Sequence, residues 1–208
     1  MLKKPLLLEK FRKFRKNVLE NDGKIGTNLR VLEFVYNNTC NFKCMHCSTR
    51  APLGETTSHK IELERIADLA DQAHELGIYE WNLHGGELLL EGDNLFEVIK
   101  AIKPEKFYLF LTSNGYLLDE QTAQRLAGAG VDRVSVSLDS FDEKVHDGFR
   151  GIEGAYQKAI QALDYVKKAG MAPFINITVG HFNVFSEDLE NLLKYSRDNG
   201  YTSYINIA

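Results

Sequence analysis

Residues 30–47 read RVLEFVYNNTCNFKCMHC. The opening Arg30–Tyr36 run is rich in Val, Leu, Phe and Tyr and predicts a short strand. Cys40, Cys44 and Cys47 follow it directly in C-x3-C-x2-C spacing. A chemically loaded loop after a strand is where α/β folds carry their sites, provided that the strand belongs to a parallel sheet. The rest of the chain supplies that condition. Strand candidates Tyr79–His84, Phe107–Thr112, Asp132–Leu138, Pro173–Val179 and Ser203–Ile207 alternate with helix candidates Lys60–Leu76, Asn94–Ala101, Asp119–Ala127, Tyr156–Ala169 and Ser186–Asn199. Gly77, Gly128, Gly170 and Gly200 fall at or just after helix ends, where a left-handed cap favours glycine. Successive β-α units imply parallel strands joined by right-handed crossovers. That pattern alone fits either an open doubly wound sheet or a barrel that is complete or partial.

The 208 residues are 44% hydrophobic and 26% charged, enough apolar material for one packed domain and too much for a disordered chain. The net charge of -4 excludes the strongly positive surface that a nucleic-acid binder uses to displace counterions. Basic residues do gather at the start, where Lys3, Lys4, Lys10, Arg12, Lys13, Arg15 and Lys16 face Glu9 alone. Leu7, Phe11, Phe14 and Val18 recur there at helical spacing, and Asn21-Asp22-Gly23 ends the helix. Residues 1–29 are therefore expected to form a basic amphipathic helix and lead-in that covers one end of the domain formed by residues 30–208. Contact with an anionic membrane surface or an acidic partner is the other use of such a helix. No apolar run reaches the roughly 18 residues of a membrane span, and Leu6–Leu8 is too short for a signal-peptide core, so a cytoplasmic protein is expected. No internal repeat or linker marks a second domain. A sixth strand ending near Ala208 suggests a minimal six-unit barrel or a chain cut before a C-terminal extension.

The chain has three cysteines, an odd number held within eight residues, so they read as thiolate ligands rather than disulfide staples. A [4Fe–4S] cubane normally takes four thiolates, and three from one loop leave one iron with an open position. The bland alternative is a zinc site with a histidine as fourth ligand. His46 adjoins Cys47 too closely to share one ion with it comfortably, and His59 or His84 would have to come from elsewhere in the chain. Spacing alone favours iron–sulfur and leaves zinc open.

Three later stretches meet the same strand ends. His84-Gly85-Gly86-Glu87 follows the second strand and offers backbone free of Cβ atoms, then a carboxylate suited to an ammonium group. Thr112-Ser113-Asn114-Gly115 ends the third strand. Ser135-Val136-Ser137-Leu138-Asp139 brings hydroxyls to the fourth, an unusual composition for a buried strand, although Asp139 also suits capping of a following helix.

Together these motifs resemble the radical SAM superfamily. The resemblance covers almost the whole chain from Val31, and it implies a partial (β/α)6 TIM-like barrel of parallel α/β type with an N-terminal helix. It implies a [4Fe–4S] cluster on Cys40, Cys44 and Cys47, with S-adenosylmethionine chelating the open iron through its amino and carboxylate groups. Reductive cleavage to a 5′-deoxyadenosyl radical and hydrogen abstraction from substrate are the implied activity. By the same resemblance His46 lies near adenine, and Gly85, Gly86 and Glu87 match the family's G-G-E-P element, with Leu88 where proline is usual. Asn114 helps shape the site, Ser137 and Asp139 match an S-x-D element at the ribose or carboxylate, and Arg150 of His146-Asp147-Gly148-Phe149-Arg150-Gly151 pairs with the methionine carboxylate or forms an ordinary surface ion pair. Asn176, Thr178 and Asn183 offer further polar groups at the mouth. The subgroup is similar to peptide maturases and the molybdopterin-precursor GTP cyclase, without a visible auxiliary-cluster domain, since no cysteine follows Cys47. An electron donor such as flavodoxin or ferredoxin and a peptide or small-molecule substrate are the implied partners. A zinc-binding α/β module without radical chemistry is the alternative function. No catalytic side chain is singled out.

Overall fold

The computed structural model describes residues 4–47, 61–181 and 183–207; Lys3, His59, Lys60 and Ala208 lie outside them. In chain order the elements are α1 (Pro5–Glu20), β1 (Val31–Val35), α2 (Leu63–Glu75), β2 (Glu80–His84), α3 (Asp93–Ile102), β3 (Tyr108–Ser113), α4 (Glu120–Gly128), β4 (Arg133–Ser137), α5 (Glu143–Arg150), α6 (Ala155–Lys168), β5 (Ala172–Val179), α7 (Glu187–Asn199) and β6 (Thr202–Ile207). One sheet runs β1-β2-β3-β4-β5-β6, every neighbouring pair parallel. A doubly wound sheet reverses its strand order part-way. The unbroken order, with β1 and β6 left as open edges, resolves the two architectures that periodicity left open in favour of a six-stranded half-barrel.

Period-two alternation sorts the strand side chains onto two faces. Leu32 and Phe34, Trp81 and Leu83, Leu109 and Leu111, Val134 and Val136, and Ile175 and Ile177 join the helices in one continuous core. The other face carries Glu33, Asn82, Phe110, Arg133, Ser135, Phe174 and Asn176, in register across the sheet. That face lines the concave interior, which explains the polar residues of β4: its outward Val134 and Val136 are fully buried against helices, while its serines point inward.

Helix α1 lies across the amino-terminal ends of the strands. The Lys4 ammonium donates to the carbonyls of Phe107 and Gly130, each at 2.9 Å, and pairs with Asp132; Lys10 donates to the carbonyls of Ile78 and Lys106 at 2.8 and 3.1 Å. Phe11 and Phe14 pack edge-on against Tyr79. Two of the basic residues thus cap carbonyls that end just below β2, β3 and β4. No helix among the described residues is long and apolar enough to cross a membrane.

The sequence reading places no element at α5. It is eight residues long and its buried residues are His146, Phe149 and Arg150, two of them polar, so apolar periodicity does not register.

Candidate active site

All three cysteines sit on the loop between β1 and α2, at the carboxyl ends of the strands, each partly exposed. The loop is pinned first by the turn after β2. The Gly86 N–H donates to the Asn37 carbonyl at 2.9 Å and to Asn37 Oδ1 at 3.1 Å, and the Glu87 N–H donates to the Thr39 carbonyl at 2.7 Å. A Cβ on Gly85 would stand 2.6 Å from the Asn37 carbonyl oxygen, and one on Gly86 only 2.1 Å from that of Thr39. The close approach that demands two glycines is therefore to the protein's own cysteine loop.

Glu87 is fully buried. Its carboxylate accepts from the Ser113 hydroxyl at 3.0 and 3.1 Å, from the Asn114 N–H at 2.7 Å and from the Leu89 N–H at 3.0 Å. Burial pushes this carboxyl up, while those donors pull it down. Sequence reading offers Glu87 to a ligand's ammonium; in the fold its oxygens are engaged within the protein and tie the end of β2 to that of β3. Asn114 extends the tie, since its Nδ2 donates to Asn41 Oδ1, inside the cysteine loop, at 2.8 Å.

The second support is α5. Asp142, not Asp139, is its N-cap, accepting from the N–H groups of Lys144 and Val145. Asp139 is buried and accepts instead from Arg150 Nε at 2.7 Å and from the Thr178 N–H at 2.8 Å. Arg150 is also buried, and its Nη1 lies 3.7 Å from Cys44 Sγ. It is neither a surface ion-pair former nor a side chain whose charge is open: it links Asp139 to one of the thiols. His146 sits behind the pair and accepts from the Asp139 N–H through Nδ1 at 3.2 Å. Burial, reinforced by Arg150, pushes His146 down to about 4 and keeps it neutral. Asp147 accepts from the N–H groups of Gly154 and Tyr156 at the start of α6. Each polar member of the His146–Gly151 stretch thus has a partner that builds the platform under the loop.

The loop rests on that platform. The Met45 N–H donates to the Phe149 carbonyl at 3.4 Å, and a Cβ on Gly151 would stand 3.1 Å from the Lys43 carbonyl oxygen. The His46 ring stacks on Phe149 with centroids 4.4 Å apart and planes within 6°. One face of the imidazole is taken, and its buried Nδ1 has no hydrogen-bond partner among the described residues. Phe149 is the site residue that sequence reading passes over; its position beside the arginine is the only signal it carries. Ser137 is buried on the interior face of β4 with no side-chain hydrogen bond among the described residues. Thr178 and Asn183 meet through the Asn183 amide, which donates to the Thr178 carbonyl at 3.0 Å, whereas Asn176 accepts from Asn206 at 2.6 Å further down the sheet.

Burial raises the thiols of Cys40 and Cys44, and each also feels its neighbours: Cys44 and Cys47 raise Cys40 further, while Arg150 lowers Cys44. Among the described residues no group of three His, Cys, Asp or Glu side chains converges in the geometry of a single bound ion.

Residues 34–196 match the radical SAM superfamily. The chain belongs to that superfamily. It is 30% identical over 169 residues to an AdoMet-dependent heme synthase of Methanosarcina barkeri, covering 79% of this chain and 46% of that protein. It is 29% identical over 163 residues to a PqqA peptide cyclase of Granulibacter bethesdensis, covering 78% and 42%. The chain thus spans less than half the length of these relatives. Its fold is similar to that of SuiB from Streptococcus suis in complex with the precursor peptide SuiA, with a TM-score of 0.72 at 19% identity, covering 96% of this chain and 44% of that one.

Radical SAM proteins work with a [4Fe–4S] cluster and S-adenosylmethionine. The donor set here fits that pair. Three thiols on one loop leave one iron of a cubane to another ligand. A guanidinium beside Cys44 favours its thiolate form, and His46 Nδ1, buried and without a partner among the described residues, remains for a bound molecule.

Proposed function

We propose that this chain holds a [4Fe–4S] cluster through Cys40, Cys44 and Cys47 and that S-adenosylmethionine binds at the iron they leave open. The observation that carries the reading is the convergence of the ends of β2 and β3 and of α5 on one three-thiol loop: Asn37 to Thr39 against Gly85–Glu87, Asn41 against Asn114, and Cys44 against Arg150. Bound together, cluster and cofactor supply the one-electron reductive cleavage whose product, a 5′-deoxyadenosyl radical, takes hydrogen from an unactivated C–H bond.

The protein's own part is to hold and orient. Around the turn after β2 the N–H groups of Gly86 and Glu87 are taken, and the Glu87 carboxylate is taken as well, so the acceptors left for an ammonium are the carbonyl oxygens of Gly85 and Gly86. Ser137 offers its hydroxyl to ribose or carboxylate from β4, and His46, braced by Phe149, presents its free edge to the adenine side. Arg150 keeps positive charge at Cys44 through its pairing with Asp139. A peptide or small metabolite is the substrate class, in line with the peptide cyclase and heme synthase to which the chain is similar. A low-potential carrier such as flavodoxin or ferredoxin supplies the electron.

Anaerobic reconstitution with iron and sulfide, followed by dithionite and S-adenosylmethionine, tests the reading. The expected product is 5′-deoxyadenosine, abolished with the cluster's absorbance in Cys44→Ala. Cluster-loaded protein that forms no 5′-deoxyadenosine overturns it, as does protein purified anaerobically with stoichiometric zinc and neither iron nor labile sulfide.

A further inference from the structure

The interior face of the half-barrel holds two carboxylates and a cation that are not paired with one another. Glu33 accepts from Asn82 at 2.6 Å and lies 3.3 Å from His84 Nε2, and Glu80 pairs with Arg30 at 3.3 Å. Both are near enough to act on the charge of Arg133, yet among the described residues no carboxylate comes within ion-pair distance of it. Its buried Nε has no hydrogen-bond partner. The guanidinium rests instead between aromatic rings, 3.6 Å from the centroid of Phe110, 4.3 Å from Phe174 and 5.4 Å from Tyr108.

Aromatic faces attract and orient a guanidinium but leave its N–H groups without acceptors. The next inward residue on the same strand, Ser135, is buried, and its hydroxyl also lacks a partner. It stands level with Thr112 on β3 and Phe174 on β5, on the face that Arg133 shares. A half-buried cation, its orientation set by three rings, on the same strand face as a free hydroxyl has the chemistry of an oxyanion seat.

We propose that Arg133 and Ser135 anchor an anionic group of the substrate, a carboxylate or a phosphate, in the barrel interior. The inference rests on the radical SAM reading for what lies above it. Four residue steps along β4 lead from Arg133 to Ser137, a path of roughly 13 Å at the rise of a parallel strand. The substrate is therefore a molecule with its anionic end deep in the barrel and its reacting C–H bond near the mouth, held at two points rather than gripped only at the cluster. Arg133 is an anchoring residue and takes no part in bond breaking.

Calorimetric titration of the anaerobically reconstituted protein with succinate, with inorganic phosphate and with neutral succinamide tests the seat. The expected result is saturable one-site binding of succinate or phosphate, whichever source the seat fits, and none of succinamide. Arg133→Met should weaken that binding by about tenfold or more, the size of losing charge-assisted hydrogen bonds, and Arg133→Lys by less because it keeps the charge. Ser135→Ala, which leaves the rings and the cation in place, should weaken it by a few-fold and guards against a folding defect in the arginine variants. Equal binding of succinate and succinamide, no binding of either anion, or affinity unchanged in both Arg133→Met and Ser135→Ala overturns the proposal. Formation of 5′-deoxyadenosine by the wild-type protein is read separately, so failure of the cluster chemistry and failure of the anion seat are distinguishable.

Discussion

Replacing Gly86 by alanine places a methyl group where the main chain of the cysteine loop already lies. The added carbon would stand 2.1 Å from the Thr39 carbonyl oxygen, 2.5 Å from its carbon and 2.8 Å from the Asn38 carbonyl carbon. These neighbours are backbone atoms, so no rotamer change relieves the contact. The loop or the turn must shift by about an ångström to restore ordinary van der Waals separation, and a shift of that size breaks two hydrogen bonds, Gly86 to Asn37 at 2.9 Å and Glu87 to Thr39 at 2.7 Å. Two bonds at roughly 1 kcal/mol each, with about 1–3 kcal/mol for forcing a methyl into a packed contact, give a destabilisation of about 3–5 kcal/mol. The displaced segment leads straight into Cys40, so iron binding should suffer beyond the loss of stability. Gly128→Ala is the internal control, because a Cβ there meets nothing within 4 Å. At the end of α4 it should be neutral or raise stability by up to about 1 kcal/mol. Urea midpoints and iron per chain after reconstitution are the assays. A Gly86→Ala protein with the wild-type midpoint and full iron loading would refute the claim that these glycines exist to seat the cysteine loop.

Arg150→Met should destabilise the protein by about 3–5 kcal/mol in urea unfolding, since it leaves Asp139 buried without its cation, and Asp139→Asn in the same chain should recover part of that loss. A pair that contributes additively in the double-mutant cycle would contradict the contact. His146 adds a pH dependence of known sign. Its folded-state value of about 4 lies below the 6.5 of the unfolded chain, so between those values the unfolded state binds the extra proton and stability falls as pH drops. The shift corresponds to roughly 3 kcal/mol across that window. Urea midpoints at pH 7 and pH 4.5 should therefore differ more for wild type than for His146→Asn, and equal differences would sink the assignment.

Alternation of apolar and amphipathic runs predicts all six strands to within a residue or two, because β-branched, aromatic and aliphatic residues concentrate in short runs between the longer amphipathic ones. Periodicity alone leaves half-barrel and doubly wound sheet open, since strand order is a non-local property that identical β-α units share; the motifs' resemblance to a known family points to the partial barrel, and the strand order agrees. The motifs show the same division more sharply. Cysteine spacing is local and announces thiolate ligands. The partner of a glycine pair or a carboxylate is not local: Gly86 meets Asn37 49 residues away, Glu87 meets Ser113 across 26, and Arg150 meets Cys44 across 106. Read singly, Glu87, Asp139 and Arg150 each look like a hand extended to a ligand. In the fold their charged groups hold one another, the strand ends and the loop, which is why so many charges can stand buried at the mouth of a half-barrel. On the proposed reading, the ligand-facing groups at that mouth are the carbonyls of Gly85 and Gly86, the Ser137 hydroxyl and the braced ring of His46, while Glu87, Asp139 and Arg150 hold it together. The buried charges of Glu87, Asp139 and Arg150 thus assemble the mouth, a role that residue type alone does not announce.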